Sequence, residues 1–209
     1  MMRASHMMLA FGNDVCLRHV MANVDNGTDN MERQIRKGVA MRLTVAAVRS
    51  LAVCRVPSPL GVLELVSDGA AVVRLSLAGP ADPLLPPPDP LLCAAAEQLA
   101  AYFAGRLTSF SLPLAPAGTA FQRAVWSAIR SIPCGGTRTY SEIAGSVGHP
   151  RAARAVGSAC GKNPIPILIP CHRVVGARSP YHYALGPDRK RFLLGLEAEI
   201  QPKEKENDP

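Results

Sequence analysis

The sequence predicts a small α/β domain followed by a mostly α-helical domain with a helix-turn-helix core. Three observations carry that reading. Two runs of alternating apolar residues, Val62–Val66 and Ala71–Leu77, flank the turn Ser67-Asp68-Gly69 and lead to a capped amphipathic helix. Further on, two short helical stretches with clear start signals are separated by a tight break at His149-Pro150. Between that pair and the last helix lies an apolar run, Ile165–Ile169, ending in Pro170-Cys171-His172.

Residues 1–48 differ from the rest. All seven methionines lie here, and the stretch from Ala22 to Lys37 is polar with little apolar periodicity. The expectation is a disordered or mis-started extension, with a true start at Met41 or later. No secretory pattern is visible. Residues 49–108 form the predicted α/β domain. Ser58-Pro59-Leu60-Gly61 turns into the first of the two strands, and Pro80 to Pro90 is a proline-rich connector. Asp89-Pro90 supplies an N-cap and a first-turn proline for a helix through Ala104, closed by Gly105. Leu92, Ala95, Ala96, Leu99 and Phe103 form its apolar stripe.

Residues 109–200 form the second domain, entered through an extended linker at Ser109–Leu114. Thr119 caps a helix from Ala120 to about Ser131, with Phe121, Val125, Trp126 and Ile129 on its inner face. Pro133-Cys134-Gly135-Gly136 breaks the chain, and Thr139 with Glu142 makes a capping box for the next helix. A helix from Arg151 to Cys160 follows, stopped by Gly161. Its Ala152, Ala153, Ala155, Val156, Gly157, Ser158 and Ala159 give a slim face, suited to close approach in a narrow groove. The final helix runs from about Pro187 to Ile200, with Phe192, Leu193 and Leu196 inward, and residues 201–209 are a loose tail.

Net charge is +7, and it is unevenly distributed. Between Ser111 and Glu197 there are nine arginines and two lysines against Glu142, Asp188 and Glu197. Such a basic half points to a polyanion, with nucleic acid leading. The six cysteines show no C-x-x-C pair, which argues against a zinc knuckle or disulfide framework and fits a reducing compartment such as the cytosol. No apolar run approaches membrane-spanning length. Proline before Cys171 places the thiol on a stiff turn, and an adjacent imidazole can activate it.

The segment Asn163-Pro164-Ile165-Pro166-Ile167-Leu168-Ile169-Pro170-Cys171-His172-Arg173-Val174-Val175 closely resembles the active-site segment of the O6-alkylguanine-DNA alkyltransferases, the methylated-DNA–protein-cysteine methyltransferases. The family's Phe-Gln-x-x-Val-Trp pattern stands at Phe121–Trp126, and the Ser-Pro-Leu-Gly hairpin resembles the family's N-terminal domain. The resemblance implies a ribonuclease-H-like first domain and a winged helix-turn-helix-like second one. It implies stoichiometric transfer of an alkyl group from O6 of guanine, and O4 of thymine, to Cys171, without cofactor or metal. The partner would be double-stranded DNA carrying the lesion, approached from the minor groove by a cytoplasmic monomer.

By the same resemblance His172, through water, takes the thiol proton, and Glu197 orients the imidazole. Tyr140 assists nucleotide rotation and bonds the leaving purine, and Asn163 holds the active-site turn. Arg154 fills the space of the flipped nucleotide. Arg151, Ala152, Ala153, Gly157, Arg123 and Arg173 accompany it as DNA-binding residues. Val174, Tyr183, Ala184 and Leu185 form the substrate pocket. Carbonyls of Cys171 and Val174 would accept from the guanine amino group, and the Ala184 N–H would face the guanine oxygen. The loop 176–187 departs from the family's Gly-Tyr-x-Gly-Gly ending: it is about one residue short, and Leu185 stands where glycine is common. A member with reduced activity, or a lesion-binding module without chemistry, is therefore the alternative. Cys171 argues against the module. A transcription regulator would need a four-cysteine N-terminal cluster that is missing, and a thiol hydrolase leaves the slim helix unexplained.

Overall fold

The computed structural model describes residues 51–79, 82–176 and 183–200. The expectations for residues 1–48, for the tail and for the centre of the 176–187 loop lie outside the described residues. Strands β1 (Ala52–Ser58), β2 (Gly61–Ser67) and β3 (Val72–Leu77) form an antiparallel meander in that order. The β1–β2 turn is Pro59-Leu60. Ser58 closes it, its hydroxyl donating to Gly61 O and accepting from Leu60 N, and Gly61 takes φ 113°. Strand β1, which the alternation count did not single out, is paired with β2 along its whole length.

Helix α1 (Pro90–Phe103) begins as expected: Asp89 Oδ1 accepts from Leu92 N at 2.8 Å and Pro90 occupies the first turn. Gly105, at φ 72°, ends it. Its buried face is Leu92, Ala95, Leu99 and Tyr102, so Tyr102, rather than Phe103, continues the stripe into the core. The following segment is extended and hydrogen-bonds β3, Val72 N donating to Pro113 O and Ala115 N to Val72 O.

Helix α2 (Ala120–Arg130) carries a reciprocal capping box between Thr119 and Gln122, and buries Val125, Trp126 and Ile129. Trp126 Nε1 donates to Ala159 O at 2.9 Å, so the indole is satisfied inside the core. Strand β4 (Arg138–Thr139) leads directly into α3 (Tyr140–Ser146), whose Thr139–Glu142 capping box forms as the sequence predicts. After the turn at Gly148 (φ 79°), α4 runs Ala153–Gly161. It begins two residues later than expected, without a side-chain cap, and includes Gly161 rather than stopping before it. A single 3₁₀ turn, Cys171–Arg173, precedes β5 (Val174–Val175), and α5 spans Pro187–Ile200.

Two features position the site. First, β4 and β5 pair in parallel, Arg138 with Val174 and Thr139 with Val175. That register sets Tyr140, which follows β4, beside the turn that precedes β5. Second, Leu75 N donates to Pro164 O at 2.9 Å, tying the 163–170 segment to β3. Core residues from both halves, among them Leu63, Leu75, Leu99, Trp126, Ile129, Ile165 and Ile169, form one continuous cluster. On α5 the buried face is Lys190, Leu193 and Glu197, the first and last seven positions apart, or two turns. Phe192, expected inward, is 41% exposed because it lies off that face. Among the described residues no helix is long and apolar enough to cross a membrane.

Gly118 sets how closely the start of α2 packs on its own tryptophan. A Cβ there would lie 2.6 Å from the Trp126 ring and 2.9 Å from Gln122 Oε1, the capping oxygen. Gly118→Ala should therefore destabilise the protein by about 1–3 kcal/mol through overpacking. Trp126 is the chain's one tryptophan, so urea unfolding followed by its fluorescence reads the effect. An unchanged midpoint would contradict the packing.

Candidate active site

The segment before Cys171 is built to hold a thiol still. Asn163 Oδ1 accepts from Ile165 N at 3.0 Å, an Asx turn that starts the loop. Its Nδ2 donates to Ile169 O at 2.8 Å and to Cys171 Sγ at 3.0 Å. Pro170, at φ −80° and ψ 62°, makes an inverse γ-turn in which Cys171 N donates to Ile169 O at 2.8 Å. Ile167 sits at φ 73°, a conformation that costs a residue with a Cβ about 1–2 kcal/mol. Its side chain is almost fully buried, which contributes about 1.5–3 kcal/mol in the other direction. The loop thus keeps a strained backbone because the apolar run is locked into the core.

Cys171 is 3% exposed and His172 is fully buried. His172 Nε2 pairs with Glu197 Oε1 at 2.8 Å, and Nδ1 has no hydrogen-bond partner among the described residues. Glu197, also fully buried, is a hub. It accepts from Tyr102 Oη at 2.7 Å, from Gly135 N at 3.0 Å, and from Arg173 through Nε (2.9 Å) and Nη2 (2.8 Å). Burial would raise its pKa, but donation by His172 and Arg173, the nearby His172 charge and the Gly135 N–H outweigh it. The carboxyl is held well below the usual range. Burial pushes the Cys171 thiol up, opposed by Asn163 donation and the Lys190 charge. Burial also lowers the His172 pKa, against the pull of Glu197. Burial thus disfavours the charged form of both the thiol and the imidazole, while the donors around Glu197 favour its ionised form.

The thiol opens into a cleft of about 290 Å³ lined by Tyr140, Gly157, Cys160, Gly161, Cys171, Tyr183 and Ala184. A second hollow, about 420 Å³, is lined by Thr139, Tyr140, Ser141, Ala153, Arg154 and Gly157. The two share Tyr140 and Gly157, so the thiol cleft is continuous with the face of α4 that carries Arg154. Gly157 keeps this junction open, since a Cβ there would touch the Tyr140 ring at 3.8 Å. Arg154 and Arg151 are exposed, and Ala152 and Ala153 are half-buried on the same helix start. Arg123 is exposed on α2, its guanidinium donating to Gly118 O.

Three expectations change. Arg173 does not face a ligand: it is buried, its guanidinium taken up by Glu197 and, through Nη1, by Ile132 O at 2.5 Å. Val174 is not in the cleft wall, being fully buried with its carbonyl accepting from Lys190 Nζ at 2.6 Å. Leu185 is also outside the wall, half-buried one residue beyond Ala184, its carbonyl held by Arg189 Nη1. Sequence reasoning missed Tyr102, Cys160 and Lys190. Tyr102 completes the 92-95-99-102 spacing of α1. Lys190 stands two turns before Glu197 on one face of α5. Both signals were present in the periodicity.

A family model described as the 6-O-methylguanine DNA methyltransferase DNA-binding domain matches residues 120–199, and one for the same enzyme's ribonuclease-like domain matches residues 53–116. Together they cover more than half of the chain. The chain belongs to the 6-O-methylguanine DNA methyltransferase family. A methylated-DNA–protein-cysteine methyltransferase of Mycobacterium tuberculosis is 45% identical over 152 residues, 70% of this chain and 92% of that protein. One from Methanosarcina acetivorans is 58% identical over 104 residues, 49% of this chain and 67% of that protein. Among solved structures, M. tuberculosis O6-methylguanine methyltransferase superposes with a TM-score of 0.66 at 42% identity, covering 74% of this chain and 97% of the other. The M. tuberculosis OGT in complex with DNA gives 0.63 at 46% identity, covering 71% and 94%. The two-part architecture, a small antiparallel sheet with its helix and then a helical DNA-binding part, is that of the methyltransferase family.

Glu197→Gln leaves the Arg173 charge buried without its partner and should cost about 3–5 kcal/mol of stability. The pH dependence has a definite sign. The folded carboxyl titrates below its unfolded value, so its stabilisation is complete above the ordinary carboxylate pKa of about 4.3 and is lost as pH falls toward the lower folded value. His172, with its pKa also lowered, adds a loss in the same direction below about pH 6.5. Urea midpoints measured from neutral to acid pH should fall for the wild type and show a weaker acid dependence in Glu197→Gln. Parallel curves would refute the hub.

Proposed function

We propose that this protein repairs DNA by taking an alkyl group, chiefly methyl, from O6 of guanine, and also from O4 of thymine, onto Cys171 in a single use. The observation that carries this reading is the thiol itself. It is clamped by Asn163 and opens into a cleft continuous with the Arg154 face, with the His172–Glu197 pair behind it. His172 Nδ1, unpaired while Nε2 is directed at Glu197, is the basic atom available to the thiol, with one water bridging them. Glu197 stabilises the imidazolium that results. The thiolate attacks the alkyl carbon, the carbon–oxygen bond breaks, and the guanine leaves with the electron pair. Tyr140, at the junction of the two hollows, donates to the leaving purine. A thioether is chemically inert in this site, so each molecule acts once.

A thiol this deeply buried cannot reach a stacked base, so the nucleotide must leave the duplex, at a cost of a few kcal/mol. Arg154 fills the vacated space. Arg151 and Arg123 contact phosphates, and the small residues Ala152, Ala153 and Gly157 let α4 approach a minor groove. Tyr183 and Ala184 border the base and its substituent. The protein works as a monomer in the cytosol, without cofactor or metal.

Incubating the protein with duplex DNA carrying a labelled O6-methyl group tests the reading. Cys171→Ala should accept no label while binding the duplex about as tightly as the wild type, because the phosphate contacts lie elsewhere. Label on another cysteine would overturn the assignment. In the same assay Arg154→Ala should slow transfer from duplex by about tenfold to a hundredfold, equivalent to about 1–3 kcal/mol, and leave reaction with the free base unchanged. Equal losses on both substrates would remove Arg154 from base extrusion.

A further inference from the structure

The alkyl-transfer chemistry uses one thiol, yet the cleft holds two. Cys160, in the last turn of α4, lines the same hollow of about 290 Å³ as Cys171. Asn163 spans the pair: its backbone N–H donates to Cys160 O at 3.3 Å while its side-chain Nδ2 donates to Cys171 Sγ at 3.0 Å. On α4 the cleft-lining neighbours of Cys160 are Gly157 and Gly161, neither of which puts a side chain between the sulfurs. Burial pushes the Cys160 thiol up to about 12, and proximity to Cys171 adds to it. The buried Lys190 ammonium lies within the electrostatic field of both thiols and favours the thiolate of each. Cys134 and Cys54 sit elsewhere, Cys134 beside Glu197 and Arg173, Cys54 in β1.

We propose that Cys160 is a resolving thiol: after a peroxide oxidises Cys171 to its sulfenic acid, Cys160 closes an intramolecular disulfide across the cleft. In the first step Cys171 sulfur attacks a peroxide oxygen and the O–O bond breaks: that oxygen and its hydrogen end on sulfur as Cys171–S–OH, and the departing oxygen takes the Cys171 thiol proton to leave as water or an alcohol, the peroxide being reduced by two electrons. In the second, Cys160 sulfur attacks Cys171 sulfur, the S–O bond breaks, and the departing hydroxyl takes the Cys160 proton to leave as water. A dithiol reductant returns both thiols. The gain is specific to a single-use protein. Further oxidation of a sulfenic acid to the sulfinic acid is irreversible by ordinary thiols, whereas the disulfide is not. The proposal rests on Cys171 as the acceptor only for its consequence, reversible loss of methyl uptake.

The full chain is treated with hydrogen peroxide, quenched by alkylating free thiols, and mapped by peptide mass spectrometry without reductant. The expected product is a Cys160–Cys171 cross-link, with methyl uptake lost and then regained on adding dithiothreitol. Cys160→Ala, treated alike, should carry Cys171 sulfinic acid and recover little activity. Wild-type protein that accumulates sulfinic acid as fast as Cys160→Ala, or joins Cys171 to a different cysteine, would overturn the proposal. Methyl uptake by untreated, reduced protein is measured in parallel. Its absence would count against the transfer function, while the cross-link map alone decides the role of Cys160.

Discussion

One buried carboxylate holds this site together. Glu197 takes four donor residues from three parts of the chain: Tyr102 on α1, Gly135 in the loop after α2, and His172 and Arg173 in the 3₁₀ turn. An ionised carboxylate cannot remain in the core without such partners, and the partners cannot remain buried without it. The mutual dependence fixes where α5 lies against the nucleophile turn. Through the same contact one nitrogen of the His172 ring is taken by the carboxylate, and Nδ1 is left without a hydrogen-bond partner among the described residues.

Around that hub the two hollows divide the work. The inner one is narrow and contains the thiol. The outer one is larger and follows α4, with Arg154 on its rim. Tyr140 belongs to both, because the parallel β4–β5 register brings the start of α3 against the end of the active-site loop. Tyr140 and Gly157 thus stand where the two hollows meet.

Much of this was legible in the residues. Caps at Asp89, Thr119 and Thr139 are local chemistry, and each helix starts where its cap stands. The 163–175 segment carried the resemblance that pointed to Cys171, and in the structure Asn163 and Pro170 build the turn that holds its thiol. What escaped depended on tertiary neighbours. Arg173 reads as a surface cation until α5 brings Glu197 to it. Lys190 counts toward a basic face but is buried against Val174 O, so the charge tally overstates the surface by two cations and one anion. Leu185 was expected beside the substrate by resemblance alone; in the structure it is half-buried, its carbonyl accepting from Arg189 Nη1, and Ala184 rather than Leu185 lines the cleft. Strand β1, interrupted by Arg55 and Pro57, lacks clean alternation and is recruited by pairing with β2.

The central proposal is that the Glu197 contact leaves Nδ1 of a neutral His172 as the base for the thiol. Nitrogen-15 NMR of the histidine rings in the resting full-length protein at neutral pH measures that directly. The account predicts a neutral His172 with its proton on Nε2 and a bare Nδ1. A ring protonated on Nδ1 alone, or an imidazolium in the resting state, would contradict it.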